Sequence, residues 1–320
     1  MKKKIAFLAP ENKGGPYYIY KDMVEVLKEK YGKELDVYFF NSKKDWLKLH
    51  FARYDVLFSV IPFLFKPLRI KKFVYNLHGN FEIEKKNKSL GNKLLYLAKR
   101  NLKFADNIAL TSYFLADKLI FRKQYEDKII IIPNFIDEKE YNFGEKKSKE
   151  NVYNILTITS FKFYDKGRGI LKLGNVISKL GEKVDKQINW TIIGNDENLE
   201  NFQIIKKEFD KISFGKNLNI KWQGWLSKEK IKNELKNNDY FLYWSYLDTF
   251  GIVILEAVVS NMKVLINDYE AFEYIFNKDI ICENENEMIE KIINDNIEKI
   301  NIDNYKKEQV LDKIFSFIIK

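Results

Sequence analysis

The stretch DYFLYWSYLDTFGIVILEAVVSNMKVLINDYEAFEY, Asp239–Tyr274, decides the fold. Its apolar run Tyr240–Trp244 reads as a buried strand, and Lys263–Asn267 reads as a second. Between them Ser245–Asp248 makes a short loop, and a helix is expected to open at Thr249-Phe250-Gly251 and to carry Glu256. Strand, loop, helix and strand in that order form a βα unit of a parallel sheet. Asp248 and Glu256 are eight residues apart, so one carboxylate precedes the helix and the other lies inside it. A helix N-terminus offers N–H groups and a partial positive charge, which suit a phosphate. A carboxylate about two turns along is placed to accept hydrogen bonds from ribose hydroxyls instead. The spacing suits a nucleoside diphosphate held by its phosphates and its sugar at once.

The alternation continues along the chain. In the first half, apolar runs predict strands at Lys4–Ala9, Leu35–Phe40, Asp55–Val60, Phe73–Leu77, Asn107–Leu110 and Lys128–Ile132. Helical patterns fit Pro16–Tyr31, Lys88–Phe104 and Tyr113–Phe121, with Pro16 suited to a first helical position. In the second half, further strands are predicted at Asn154–Thr159, Asn189–Ile193, Asn219–Gln223 and Ile280–Cys282, and helices at Glu285–Ile300 and Asn304–Lys320. The polar stretch Gly144–Asn151, GEKKSKEN, is the best linker. A break there gives residues 1–147 and 148–302, two Rossmann-like halves of an α/β chain.

A length of 320 residues suits two domains, and 46% hydrophobic with 31% charged residues describes an ordered globular chain. No run of about eighteen apolar residues exists, so no membrane span is expected. The opening Met1–Pro10 fits a first strand better than a signal peptide. One cysteine, Cys282, excludes an internal disulfide, and with two histidines it excludes a Cys/His zinc cluster. A reducing cytoplasm is the natural compartment.

The net charge of +10 is unevenly placed. Residues 1–150 hold 31 Lys and Arg against 19 Asp and Glu, or +12; the remainder holds 24 against 26, or −2. A basic half beside a neutral half suggests an anionic partner for the first domain. The excess concentrates between Lys66 and Lys103, where Pro62–Arg69, PFLFKPLR, interleaves apolar side chains with cations. Such a segment can lie at an anionic membrane surface. The plain alternative is a loop that packs its aromatics inward while its cations are merely solvated. Nucleic acid is not an expected partner, since no recognition motif accompanies the charge.

Other candidates stand where strands end, the place where open α/β sheets bind ligands. Lys166-Gly167 follows the strand at 154–159, and a lysine there can neutralise a diphosphate leaving group. Lys162 and Arg168 are the other cations of that loop. Gly14-Gly15 sits between the first strand and helix, where backbone can approach a ligand closely. His78 ends the run Phe73–Leu77, and Ser112 and Asn134 also follow strands; any of the three could equally be structural or a cap. Phe250, Gly251 and Ile252 are expected to present backbone N–H groups, although Phe250 can also be core. Asp248 can equally cap the helix, while Glu256, between Leu255 and Ala257, needs a partner. No Asp-x-Asp occurs, so no metal is expected to bridge a diphosphate.

These pieces fall in a recognisable order: Gly14-Gly15, His78-Gly79, Ala105-Asp106, Ser112, Pro133-Asn134-Phe135-Ile136-Asp137, Lys166-Gly167, Gly194 and Gly224. Trp244-Ser245, Asp248, Phe250-Gly251, Leu255-Glu256-Ala257 and Glu273-Tyr274 complete the set. The ordered set, covering nearly the whole chain, resembles the retaining, nucleotide-sugar-dependent glycosyltransferases of the GT-B fold, especially family 4. Three positions depart from the family pattern: Asp248 replaces a glutamate, Trp244 a proline, and Ser160-Phe161-Lys162 stands where an arginine is usual.

The resemblance implies two parallel sheets facing a cleft, an acceptor-binding first domain, and a last helix, residues 303–320, that packs back onto it. Asp248, His78 and Lys166 are then the catalytic candidates. Gly15, Lys162, Lys166, Gly194, Phe250, Gly251, Ile252 and Glu256 face the donor. Gly14, His78, Ser112 and Asn134 face the acceptor. The donor would be a UDP-sugar, or a GDP-sugar, with no cofactor. The acceptor would be a glycan or lipid-linked hydroxyl, handled in the cytoplasm or at the inner membrane face in polysaccharide or glycolipid synthesis. A non-catalytic GT-B protein that binds a glycan or a partner enzyme is the rival reading, motivated by Asp248 and the absent arginine. A GT-B epimerase or phosphorylase is a third.

Overall fold

The structure, a computed structural model, describes residues 2–11, 15–42, 45, 48–49, 51–79, 91–119, 122–146, 150–194, 196 and 198–319. Gly14, part of the polar stretch 144–151 and the start of the helix expected from Lys88 lie outside the described residues. The chain divides into two compact units, Met1–Phe135 with Asn304–Lys320, and Ile136–Asp303.

Unit 1 is built on a six-stranded parallel sheet of β1 Lys3–Leu8, β2 Leu35–Phe40, β3 Tyr54–Ser59, β4 Ile70–Leu77, β5 Asn107–Leu110 and β6 Ile129–Ile131. Their order is β2-β1-β3-β4-β5-β6, with Ile5 beside Val37 on one side and Val56 on the other. Ile5, Ala6, Phe7 and Leu8 are all fully buried, as a central parallel strand covered on both faces requires. Helix α1, Gly15–Tyr31, buries Ile19, Tyr20, Met23, Val24 and Leu27, one stripe at helical spacing. Helix α2, Asn92–Phe104, buries Leu95, Ala98, Asn101 and Leu102. The last helix of the chain, Lys307–Ile319, belongs to this unit and buries Val310, Leu311, Ile314 and Ile318. The rings of Tyr31 and Phe315 stack at 3.8 Å, and Lys3 donates to the carbonyls of Ile318 and Ile319 at 3.0 and 2.8 Å. A cation there suits the negative end of the helix.

Unit 2 repeats the plan with β7 Val152–Ile158, β8 Gln187–Ile193, β9 Leu218–Gln223, β10 Tyr240–Tyr243, β11 Lys263–Asn267 and β12 Ile281–Cys282. The order is β12-β11-β10-β7-β8-β9, again parallel, so the chain crosses over between β9 and β10. Helices α3 Gly169–Lys183, α4 Glu200–Phe209, α5 Lys228–Asn237, α6 Ile252–Val259 and α7 Glu285–Ile293 flank it. The core gathers Trp190, Phe161, Leu173, Ile177, Ile205 and Leu242, and Trp190 satisfies its indole N–H on Thr157 Oγ1 at 3.0 Å. Among the described residues no helix is long and apolar enough to cross a membrane.

Three expectations shift. The units part at Phe135, not within the polar stretch 144–151, because the segment after Phe135 is tied into unit 2. There Tyr141 donates to Glu256 at 2.9 Å, Lys228 pairs with Glu140 at 2.6 Å, and Asn261 donates to the Gly144 carbonyl at 3.0 Å. The helix expected over Glu285–Ile300 stops at Ile293, because Asp295 turns left-handed at φ 52°. Its carboxylate is held there by Lys263 at 2.5 Å and the Tyr240 hydroxyl at 3.1 Å. The helix expected from Thr249 begins only at Ile252, for a reason that lies in the site.

Candidate functional site

The loop after β10 is held from both ends. Ser245, the second residue past the strand, is buried, donates its amide to Asn267 Oδ1 at 2.8 Å and accepts Asn267 Nδ2 on its carbonyl at 3.0 Å. Asn267 ends the neighbouring strand β11, so the loop leaves the sheet on a fixed course. The loop then wraps around the buried carboxylate of Asp248. Oδ1 accepts the amides of Thr249, Phe250 and Gly251 at 2.8, 3.2 and 3.0 Å. These three residues are therefore coiled about a side chain, and the helix starts only past the left-handed Gly251. Gly251 adopts φ 76°, a left-handed conformation that glycine takes without cost, and α6 follows. The amides of Phe250 and Gly251, expected to face a ligand, are turned onto Asp248. The opening amides of Ile252 and Val253 precede the first bond of the helix, Ile254 N–H to the Gly251 carbonyl at 2.9 Å.

Asp248 Oδ2 accepts the Lys166 ammonium at 2.9 Å and the Tyr243 hydroxyl at 2.8 Å. Burial alone would raise this carboxyl, but Lys166, Tyr243 and the Phe250 amide hold it below its usual range. Burial likewise works against charge on Lys166, and Asp248 and Tyr243 overcome it and raise its pKa. Tyr243 is raised, first by burial and then by the facing carboxylate. The trio is thus an ionised carboxylate and an ammonium, with a neutral phenol between strand and loop. Lys166 stands where β7 ends, in the helical turn Tyr164–Gly167. Gly169 packs so closely under the β10 loop that an added Cβ would lie 1.8 Å from the Trp244 carbonyl oxygen. Gly194, with φ 109°, lets the loop after β8 meet the loop after β7, where a Cβ would lie 1.9 Å from the Thr159 oxygen. Lys162 is exposed, its ammonium over the Phe163 ring at 5.6 Å, outside the Lys166–Asp248 pair. Arg168 lies 4.0 Å over the ring of Tyr246, in the β10 loop, and donates to Asp165 at 2.8 Å.

Glu256 lies farther along α6 in a different setting. Its Oε1 accepts the Tyr141 hydroxyl at 2.9 Å. Burial pushes its carboxyl up to about 7, against the weaker pull of Tyr141, Lys228 and Lys232. Lys228 and Lys232 pair first with Glu140, at 2.6 and 3.4 Å.

The sequence model of the glycosyl transferases group 1 family matches residues 139–309, more than half of the chain. The chain belongs to that family. The model of glycosyltransferase family 4 matches residues 5–140, so the two together run across both units. No curated protein matches this glycosyltransferase in sequence. Solved structures match it in fold. An Anabaena protein, HepE, in complex with UDP-glucose, is 13% identical at a TM-score of 0.67, covering 99% of each chain. Sucrose-phosphate synthase from Thermosynechococcus elongatus is 11% identical at 0.72, over 99% of this chain and 98% of that one. The lipopolysaccharide outer core galactosyltransferase WaaB is 14% identical at 0.65, over 99% of each. The fold of this glycosyltransferase is therefore GT-B.

In unit 1 of the glycosyltransferase, His78 follows β4 directly, with its ring 6.3 Å from that of Tyr20. Burial lowers its pKa to about 4, so the imidazole is neutral at pH 7. Ser112 is buried and caps the helix Tyr113–Lys118, its hydroxyl accepting the Leu115 amide at 3.3 Å. Asn134 is buried after β6, and Gly15 opens α1. Tyr243, Tyr141 and Asn267 escaped sequence reasoning. Each had a signal: a tyrosine in a strand interior, or an asparagine at its end, carries a polar group that burial obliges to find a partner.

Proposed function

We propose that this glycosyltransferase moves a hexose from a UDP-sugar to a hydroxyl of a glycan or lipid-linked acceptor, with retention of anomeric configuration and without a metal. The observation that carries the reading is the Lys166–Asp248 pair, a buried carboxylate and a half-buried ammonium, beside the opening amides of α6. Lys166 is the cation for the leaving diphosphate, and Ile252 and Val253 add donors at a helix N-terminus. Glu256, farther along the same helix, receives the ribose hydroxyls, and UDP-glucose in the Anabaena structure supports UDP as the nucleotide.

Asp248 has a supporting task. A carboxylate has about four lone-pair sites. Here Lys166, Tyr243 and three amides already converge on them. Such a group is a poor nucleophile. It positions Lys166 and the loop, so retention is achieved by attack on the face that the diphosphate leaves, without a covalent sugar-enzyme intermediate. Neutral His78 serves as a hydrogen-bond partner to the sugar rather than as a cation.

A thermal-shift screen of UDP- and GDP-sugars, followed by product mass and anomeric NMR, tests the reading. UDP-sugars should stabilise the protein, the product should keep the donor's configuration, and EDTA should leave turnover unchanged. An inverted product, or strict dependence on added magnesium or manganese, would sink it.

A further inference from the structure

The segment Pro62–Arg69 is pinned with its apolar residues divided between inside and outside. Phe63 is buried, packed edge-on to Phe73 with ring centroids 5.6 Å apart. Its backbone is clamped by the fully buried Asn101 of α2, which accepts the Phe63 amide at 3.0 Å and donates to its carbonyl at 2.7 Å. Pro62 and Pro67 are buried as well. With those residues fixed inward, Leu64, Phe65 and Leu68 are forced outward, at 53%, 65% and 98% exposure. Scattered exposed apolar residues are ordinary, but a rigid loop that projects three together is not.

Cations frame the loop on both sides. Arg69 reaches the carbonyl of Phe51, itself exposed, at 2.5 Å. Arg100 lies 5.2 Å over the Phe65 ring and 3.3 Å from the Tyr96 hydroxyl. Lys93, Tyr96, Arg100 and Lys103 recur at helical spacing along one stripe of α2, opposite the buried Leu95, Ala98 and Leu102. Residues 51–79 and 91–106 hold nine Lys and Arg against two Asp and Glu, a balance of 9 − 2 = +7. The two acids, Asp55 and Asp106, are each taken by a lysine, Lys71 at 2.6 Å and Lys66 at 2.7 Å.

We propose that this loop and stripe dock the protein on an anionic phospholipid surface. Leu68, Phe65 and Leu64 enter the acyl boundary, while Arg69, Arg100, Lys93 and Lys103 meet the head-group phosphates. Charge complementarity decides for a bilayer over a protein partner: the apolar residues of the loop are exposed, and cations stand beside them. A bilayer presents anionic charge outside and hydrocarbon within. The proposal rests on neither the donor nor the stereochemistry of the reaction, so its failure leaves the proposed function standing.

The full chain is sedimented with vesicles of phosphatidylcholine alone and of equal parts phosphatidylcholine and phosphatidylglycerol, at low and high salt. It should pellet with the anionic vesicles at low salt and be released by high salt. Phe65→Ser with Leu68→Ser should lower the partition at least about tenfold, the worth of burying such side chains. Lys93→Gln and Lys103→Gln should each lower it by up to about fivefold. An unchanged melting temperature shows that these variants fold. The emission of Leu68→Trp should shift to the blue on anionic vesicles. Equal recovery in the supernatant with both vesicles at low salt, or no shift for Leu68→Trp, overturns the proposal. A change in sedimentation-velocity mass for the serine variants, with lipid binding intact, assigns the patch to contacts between copies and also overturns it.

Discussion

Asp248 and Glu256 flank the opening of one helix, and burial works on both, yet they titrate in opposite directions. Asp248 is held below its usual range by an ammonium, a phenol and backbone amides. Glu256 is pushed up to about 7, with a single tyrosine hydroxyl bonded to it and its nearest lysines engaged by Glu140. Burial disfavours the charge on each, and the donors that meet the carboxylate decide whether that penalty is overcome. The first carboxylate is a fixed structural charge that organises a loop and a lysine. The second is poised near neutrality, which suits a group whose partners arrive with a ligand.

The largest test of this contrast is Lys166→Ala. Loss of a positioned electrostatic stabiliser should reduce turnover by about two to three orders of magnitude. It also leaves Asp248 buried without its cation, at a cost of about 3–5 kcal/mol in stability. Removing both charges while keeping an acceptor for the loop amides, Lys166→Ala with Asp248→Asn, should recover much of that stability in denaturant melts and none of the turnover. A double variant that regains activity would show the pair to be structural only. A larger loss in Lys162→Ala would move the main cation to that exposed residue.

Next in size is Glu256→Gln, which above pH 7, where the carboxylate is ionised, should weaken UDP binding by about 1.5–3 kcal/mol, the range for a hydrogen bond to a charged group. Calorimetry that finds unchanged affinity removes Glu256 from the nucleotide site. The same variant sharpens the titration contrast. Because the folded value of Glu256, about 7, lies above the ordinary value of 4.5, the folded protein keeps a proton that the unfolded chain releases between them. This group's contribution to stability is therefore lost as pH rises from about 4.5 to about 7, and Glu256→Gln should abolish that decline. Asp248 runs the other way: its lowered value stabilises the fold above the ordinary carboxylate range and loses that contribution as acid protonates it. The differences in melting between the wild type and Asp248→Asn or Glu256→Gln across pH should fall in two separate windows, and a shared window would break the comparison.

The smallest effect is expected for Tyr141→Phe. It removes one hydrogen bond, about 1 kcal/mol, and should raise the Glu256 value further. Nucleotide binding that becomes more pH-dependent near neutrality would confirm that Tyr141 tunes the carboxyl, and an unmoved profile would place the tyrosine outside that role.

Much of the architecture was legible because the strands write short, largely apolar runs, whether buried on both faces or alternating at an edge as in Leu35–Phe40. Leu35–Phe40, Asn107–Leu110 and Lys263–Asn267 were read to the residue. Helix ends were read less well where a side chain intervened. The left-handed Gly251, in a loop gathered around Asp248, delays α6, and Asp295 ends α7 in a left-handed turn tied to Lys263 and Tyr240. The polar stretch 144–151 looked like the domain break, since composition marks flexibility; contacts of Tyr141, Glu140 and Gly144 decide where the break falls. Ser112, an acceptor candidate by position, proved to be a helix cap as well.

The sequence by itself determined the α/β alternation, the family to which the chain belongs, and the positions of Lys166, Asp248 and Glu256 after or within their elements. The alternation and the positions follow from periodicity and spacing, which are local properties of the chain, and the family follows from the ordered motifs and the sequence models that match them. Only the tertiary structure decided which groups those residues meet. Lys166 and Asp248 are 82 positions apart, Tyr141 and Glu256 are 115 apart, and Asn101 and Phe63 are 38 apart. No local rule relates such residues; the stacking of strands brings them within bonding distance, and burial then makes each bond matter.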